Sequence, residues 1–285
     1  MKILFAIVNY KTTILARSLI ESVKDSLRLC ESKQLGVEVA LEVYFNHIPN
    51  ECELELLDSI QLPRELTLEK ITDGLNSGYF GRLPAVQASA QSRSADLVIF
   101  ANSDLQLDLD FFENLVAAHR QAPANCAVFA PAILSKSTGN DSGLNYVERV
   151  STSKLKKLAL IFKWRCSYVA YSGLNLIKSK IKGGLLRNKP NGGRGSQKVF
   201  APHGALIVFR SLDFFLKIPS YPVFLFGEEI FLGDQLIKFG YTAWYMPDLL
   251  VYDVQHASIS KIPSDTVRIW HLESLRALIK IRSSA

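Results

Sequence analysis

Asp96-Leu97-Val98-Ile99-Phe100-Ala101-Asn102-Ser103-Asp104 is an apolar run that stops abruptly at three polar residues. A run with no polar face predicts a central parallel strand covered by helices on both sides. Ile3 to Val8 has the same character and stops at Asn9-Tyr10-Lys11. After it, Leu15, Leu19, Val23 and Leu27 recur at helical spacing, with Thr12-Thr13 placed to cap that helix. Val37 to Phe45 alternates and is rich in β-branched and aromatic residues, which predicts a second strand, and Leu66 to Ile71 predicts a third. Leu83 to Ser94 and Leu109 to Gln121 carry helical patterns on either side of the opening run. Strand and helix thus alternate over the first 120 residues, the pattern of βαβ units in an α/β fold. In such a sheet, ligands bind beyond the carboxyl ends of the strands. Asn9-Tyr10-Lys11, Phe45-Asn46-His47 and Asn102-Ser103-Asp104 therefore mark a site before any motif is considered.

Ala127 to Leu134 predicts a further strand. Residues 135–198 differ in kind, mixing Ser, Gly, Asn and basic residues with one helical piece, Lys154 to Trp164. Lys189 to Gly195 reads as a loop. Regular structure returns at Val199-Phe200-Ala201. A strand is predicted at Ala205 to Phe209 and a helix over Ile230 to Phe239, closed by Gly240. Two short strands follow at Thr242 to Tyr245 and Leu249 to Tyr252, then an amphipathic helix from Asp265 to Ile281. No apolar run reaches membrane-spanning length, and the first strand is too short and lacks the cleavage site of a signal peptide. The four cysteines, Cys30, Cys52, Cys126 and Cys166, form no CxxC pair. That pattern suggests neither zinc nor redox chemistry and fits a reduced, cytoplasmic setting.

The chain has 285 residues, 48% hydrophobic and 21% charged, an ordinary globular balance. The net charge of +6 suits anionic partners such as nucleotide diphosphates, and it is concentrated. From Lys154 to Lys198 the only charged residues are Lys154, Lys156, Lys157, Lys163, Arg165, Lys178, Lys180, Lys182, Arg187, Lys189, Arg194 and Lys198. With Leu155, Leu158, Leu160, Ile161, Phe162 and Trp164 among the first of them, this segment suits either an anionic membrane surface or a core-packed helix with a solvated basic face. Its aromatics do not form a stacking platform, so nucleic acid is not an expected partner.

Five constellations carry candidate chemistry. Asn102-Ser103-Asp104 places oxygen ligands at a strand end, suited to a divalent cation or to a simple turn. Asn76-Ser77-Gly78-Tyr79-Phe80-Gly81-Arg82 offers glycines for close backbone approach and an Arg for a phosphate. Gly227-Glu228-Glu229 opens a helix in an apolar setting, where a carboxylate is costly without a task. Burial there raises a carboxyl pKa, as a general base acting on a hydroxyl requires. Pro202-His203-Gly204 precedes a strand, and either Asp253 or His256 after a later strand suits a further metal ligand.

Taken in order, these pieces resemble family 2 of the glycosyltransferases, an inverting family with a GT-A-type Rossmann-like fold. The resemblance implies a central, mostly parallel sheet flanked by helices. It implies a nucleotide-sugar-binding half over 1–134, a variable basic acceptor-side insertion over 135–198, a catalytic half over 199–260 and a closing helix over 261–285. By the same resemblance Asp104 would bind Mg2+ or Mn2+ on the donor diphosphate, with Asp253 or His256 as a further ligand. Glu229 would deprotonate the acceptor hydroxyl, supported by Glu228. Asn9, Tyr10, Asn46, Asn76, Gly78, Arg82, Asn102, His203 and Gly204 would line the UDP-, GDP- or dTDP-linked donor. The similarity is greatest to members that build bacterial surface polysaccharides, rhamnosyltransferase-like ones included. The expected acceptor is a saccharide or lipid-linked saccharide and the expected setting cytoplasmic, with any membrane contact peripheral at the cytoplasmic face. The chain departs from the family in three places. Asn46-His47-Ile48-Pro49-Asn50 has no acid to read a nucleobase, Glu229 stands for the usual Asp, and Asp253 stands for the first His of the closing segment. Those departures leave a second reading, a catalytically silent sugar-nucleotide-binding subunit of a polysaccharide assembly complex. A nucleotidyltransferase is disfavoured because no glycine follows the first strand.

Overall fold

The computed structural model describes residues 1–171, 173, 195–254 and 264–284. The apolar runs form the middle of one sheet. β1 (Lys2–Asn9) pairs in parallel with β2 (Glu38–Phe45) on one side and with β4 (Leu97–Asn102) on the other. β3 (Leu66–Ile71) adds in parallel beyond β2. β8 (Leu206–Phe209) lies antiparallel to β4, β6 (Cys126–Ser135) antiparallel to β8, and β9 (Thr242–Asp253) parallel to β6. The short strands β5 (Leu105–Leu107) and β7 (Gln197–Val199) run antiparallel along the two ends of β9. β1 to β4, β6 and β9 share one direction, so the sheet is mostly parallel.

Helices of the described residues include α1 (Thr13–Ser32), α2 (Glu51–Asp58), α3 (Leu83–Ser92), α4 (Phe111–Gln121), α5 (Thr152–Lys163), α6 (Leu212–Lys217), α7 (Glu228–Lys238) and α8 (Ser264–Ser283). They cover both faces, and β1 shows why its run had no polar side. Ile3, Phe5 and Ile7 enter one core with Leu19, Val23 and Leu27 of α1 and Phe112 and Leu115 of α4. Leu4, Ala6 and Val8 enter the other with Leu83 and Val86 of α3, Phe231 of α7 and Leu275 of α8. Among the described residues no helix is long and apolar enough to cross a membrane.

Four local readings change. Thr12 does not cap α1 with its side chain; its hydroxyl bonds Asn9 and Ser103 instead. The alternation in β2 does not leave a polar face, since Glu42 is buried. Its carboxylate takes hydrogen bonds from Tyr44 Oη (2.6 Å), Arg93 Nε (2.9 Å) and Ser89. The two short strands near the end are one strand, β9, whose register against β6 jumps from Met246 to Leu250 at a bulge. Regular pairing resumes at Gln197 rather than Val199. α2 was not anticipated, although its capping box is visible as Asn50-x-x-Glu53.

The shared strand direction gathers the candidate residues. Asn9, Phe45, Ile71 and Asn102 end their strands at one edge of the sheet. Antiparallel β8 begins at that edge, so His203-Gly204 arrives beside Asn102, whose backbone N–H donates to Ala205 O (2.8 Å).

Candidate active site

The floor of this edge is a hydrogen-bonded chain. Asn9 is fully buried; its Nδ2 donates to Thr13 Oγ1 (3.0 Å), and its Oδ1 accepts from Thr12 N (3.2 Å) and Thr12 Oγ1 (2.9 Å). Thr12 Oγ1 also meets Ser103 Oγ at 2.7 Å, tying α1 to the end of β4. Thr13 Oγ1 donates to Glu53 Oε1 (2.7 Å), which lies 3.0 Å from His47 Nε2. His47 Nδ1 accepts from Lys11 N (3.3 Å), which places the ring proton on Nε2, facing Glu53. Burial pushes the Glu53 carboxyl up, but Thr13, the Asn50 backbone and His47 outweigh it and hold it below the usual range. Tyr10 is exposed above this floor, edge-on to His47. Asn9 thus fixes the start of α1, and Glu53 of α2 is bound into this floor by Thr13 and His47.

Arg82, expected to face a phosphate, turns inward. Its Nε donates to Asn46 Oδ1 (2.7 Å), Nη2 donates to Phe45 O (2.9 Å), Asp73 Oδ1 (2.9 Å) and Leu75 O, and Nη1 bonds Asp73 Oδ2. A buried guanidinium needs such partners, and here they are the carbonyls and acid of the segment after β3. The Arg82 guanidinium holds the Asp73 carboxyl below its usual range. Asn46 completes the network by donating from Nδ2 to Gly78 O (2.9 Å). Asn76 Oδ1 accepts from Gly78 N (3.3 Å), and Gly78 has a φ of +76°. Arg82 and Asn46 are thus buried in shaping the loop, while Asn76 is exposed and bonds it at Gly78 N.

The acids converge from the other side. β5 pairs with β9 so that Leu105 lies opposite Asp253, and Val254 N donates to Asp104 O (3.1 Å), which makes Asp104 and Asp253 backbone neighbours. Glu228 and Glu229 open α7 after two consecutive left-handed residues, Phe226 (φ +71°) and Gly227 (φ +81°). A bulky residue at positive φ is strained, so the surrounding packing must hold it. Phe226 is held by His271 of α8, stacked at 3.7 Å between centroids, and by Tyr221 Oη, which donates to Phe226 O (2.8 Å). Burial drives the His271 pKa down to about 4, so the imidazole packs as a neutral ring.

Glu228 is buried, and its Oε1 accepts from Phe226 N (3.1 Å). Burial first, then the adjacent Glu229 charge, push its carboxyl up to about 8. Glu229 lies against Gly204, and its charge is the largest cause raising the Tyr146 phenol, with burial second. Tyr79 joins the halves. Its Oη donates to Phe100 O (3.0 Å), and its pKa is raised by burial, then by Glu228, Glu229 and Asp104. His203 Nδ1 accepts from Ala205 N (3.1 Å), a bond that shapes the turn bringing Gly204 to Glu229.

Among the described residues no group of three His, Cys, Asp or Glu side chains is placed to hold a metal. Asp104 and Asp253 are hard oxygen donors, and Mg2+ or Mn2+ held by one or two carboxylates plus substrate phosphates fits that donor set. His256 lies outside the described residues.

No protein-family model matches the chain, and no curated protein does. Among solved structures it is similar to GalNAc-T7 crystallised with UDP, GalNAc and Mn2+, with a TM-score of 0.53 at 15% sequence identity. That match covers 89% of this chain and 44% of the other, so the chain spans less than half of its neighbour's length. The likeness establishes the fold, a GT-A-type α/β fold.

Proposed function

We propose that the chain is a nucleotide-sugar-dependent glycosyltransferase of the inverting, family 2 kind, with Glu229 as its base. The observation that carries this reading is the placement of Glu229 against Gly204 at the carboxyl edge of the sheet, where Glu228, Glu229 and Asp104 all act electrostatically on the buried phenol of Tyr79. A GT-A-fold neighbour that holds UDP and Mn2+ supports a uridine-linked donor as the first to test.

In this reading the donor lies over the ends of β1, β2 and β4, within residues 1–134. The acceptor approaches α7, within 199–260, past the insertion at 135–198 and the closing helix at 261–285. Glu229 takes the proton from the acceptor hydroxyl while that oxygen attacks the anomeric carbon. The carbon–oxygen bond to the diphosphate breaks on the opposite face, the nucleoside diphosphate leaves, and the anomeric centre is inverted. Burial and the adjacent Glu229 charge both raise the Glu228 carboxyl, which favours its protonated form beside Glu229. Gly204 gives the Glu229 carboxylate room at the strand edge. Asp104, with Asp253 as backbone neighbour, would hold Mg2+ or Mn2+, which neutralises diphosphate charge when bound. The acceptor class is a saccharide, free or lipid-linked, as in surface polysaccharide assembly.

Calorimetry with UDP-, GDP- and dTDP-linked sugars, with and without Mn2+, tests the reading. Metal-dependent binding of one donor that Asp104→Ala removes and Glu229→Gln preserves, together with transfer that Glu229→Gln abolishes, supports it. Donor binding with no transfer to any saccharide acceptor favours the silent binding subunit. No nucleotide binding under any condition overturns both.

A further inference from the structure

α5 has two unlike faces. Leu155 and Phe162 are buried, and Leu158 and Ile161 pack beside them against α8. Arg268 of α8 donates from Nη1 to Phe162 O (2.8 Å), and Phe162 meets His271 edge-on. That inner face is fully used. The outer face carries Lys156, Lys157, Leu160, Lys163 and Trp164, all exposed and spaced three or four apart, which puts them on one side of the helix. Leu160 is 66% exposed, Trp164 63% and, in the helical stretch 165–171 that follows, Val169 58%. Lys163 Nζ lies over the Trp164 ring, 5.3 Å from its centroid.

We infer that this outer face of α5 docks on an anionic lipid surface. Three arguments select that occupant. Charge is the first: no Asp or Glu occurs from Val150 to Leu212, so the face attracts anions along its whole length. The same fact disfavours the chain's own neighbouring segment as the cover, because Lys178 to Arg194 is itself basic. The second is the mixture. Leucine and tryptophan interleaved with lysine suit the headgroup boundary, where apolar side chains enter the acyl region and ammonium groups reach back to phosphates. A polyanion without an apolar phase would leave Leu160 and Val169 in water. The third is position. α5 rests on α8, and α8 supplies both His271, stacked on Phe226, and Ser274, whose Oγ lies 3.0 Å from Tyr221 Oη. Phe226 and Tyr221 in turn carry Gly227 and the Glu228-Glu229 pair. The basic face is thus separated from the candidate base by one helix layer. Resting on the proposed transfer, this makes the acceptor a lipid-linked saccharide presented at the membrane surface.

The docking is tested without any activity, so its failure is distinct from failure of the transfer reading. The full chain is sedimented with vesicles of phosphatidylcholine alone and of phosphatidylcholine mixed with phosphatidylglycerol. Binding to the mixed vesicles at least about tenfold tighter than to the neutral ones, weakened by salt, is expected. Lys156→Glu with Lys157→Glu and Lys163→Glu should remove it. Leu160→Ser with Trp164→Ser should weaken it about tenfold or more, given about 0.8 kcal/mol for each CH2 withdrawn. Brominated acyl chains should quench the wild-type fluorescence, and Trp164→Phe, the mildest change, should remove that quenching while leaving binding. Equal binding to both vesicle types, binding untouched by the charge reversals, or quenching that survives Trp164→Phe overturns the inference. So does a dimer in ultracentrifugation that Leu160→Ser with Trp164→Ser dissociates, or binding to an oligonucleotide with none to vesicles.

Discussion

The Glu229 carboxylate rests against Gly204, so closely that a Cβ there would stand 3.0 Å from Oε1 and 3.4 Å from Cδ. The crowding falls on the end of a side chain, not on backbone, so a methyl group can be accommodated by shifting the carboxylate. Gly204→Ala should therefore leave the fold intact, with a melting temperature within about 2 °C of wild type. The displaced base should lower kcat about tenfold, since small misplacements of a reacting group are costly. Donor affinity reports separately on the donor contact that the resemblance gives Gly204. Thermal denaturation, donor titration and steady-state rates together check this; a loss of stability with unchanged kcat would contradict the placement of Glu229.

Glu228 offers a pH signature. Its carboxyl is raised to about 8 in the folded chain, against about 4.5 unfolded. Between those values the folded state holds more protons than the unfolded one, so this group's contribution to stability falls as pH rises from about 4.5 to about 8. Glu228→Gln mimics the protonated acid and removes that slope. The variant's melting temperature relative to wild type should therefore rise from pH 5 to pH 8.5, by at least about 1 kcal/mol of stability or roughly 2 °C. A difference that stays flat across this range shows that Glu228 is ionised in the folded protein at neutral pH.

Arg82 separates a structural role from a phosphate-binding one. Its guanidinium joins Asn46, Phe45, Asp73 and Leu75 in a buried network. Arg82→Ala orphans those acceptors and should cost about 2 to 4 kcal/mol of stability, read by denaturant titration. A direct phosphate ligand would instead lose donor affinity while keeping its stability.

The parts of the chain that were legible were those set by burial on both faces. β1 and β4 could be read because helices cover each side, which requires runs without polar interruption. Strand direction pointed to Asn9 to Lys11, Phe45 to His47 and Asn102 to Asp104, whereas Gly227 to Glu229 stood out as acids in an apolar helix start. What could not be read was which polar side chains the fold consumes. Asn9 and Arg82 have the same chemistry whether they meet a ligand or a neighbour, and only tertiary geometry aims Arg82 at Asp73. Glu53 was missed because it lies on α2, a helix that was not anticipated, six residues beyond His47. The continuity of β9 was hidden by Pro247 and Asp248, which look like a break and form a bulge.

Gly78 links the two halves of the site and gives the strongest stability test. Its φ is +76°, and a Cβ would stand 1.9 Å from Phe224 O and 3.2 Å from Phe224 Cδ2. The loop held by Arg82 thus packs directly on the backbone that leads to Gly227 and Glu228. A methyl group there meets a carbonyl that no side-chain rotation can move. Gly78→Ala should cost about 2 to 4 kcal/mol and lower the melting temperature by roughly 5 to 10 °C. Gly36→Ala is the matched control, because Gly36 also has positive φ, +62°, but nothing lies within 4 Å of its added Cβ. That variant carries only the backbone term, about 1 kcal/mol. The difference between the two isolates the close approach of the loop to Phe224, and equal losses would mean that backbone strain alone requires glycine at position 78.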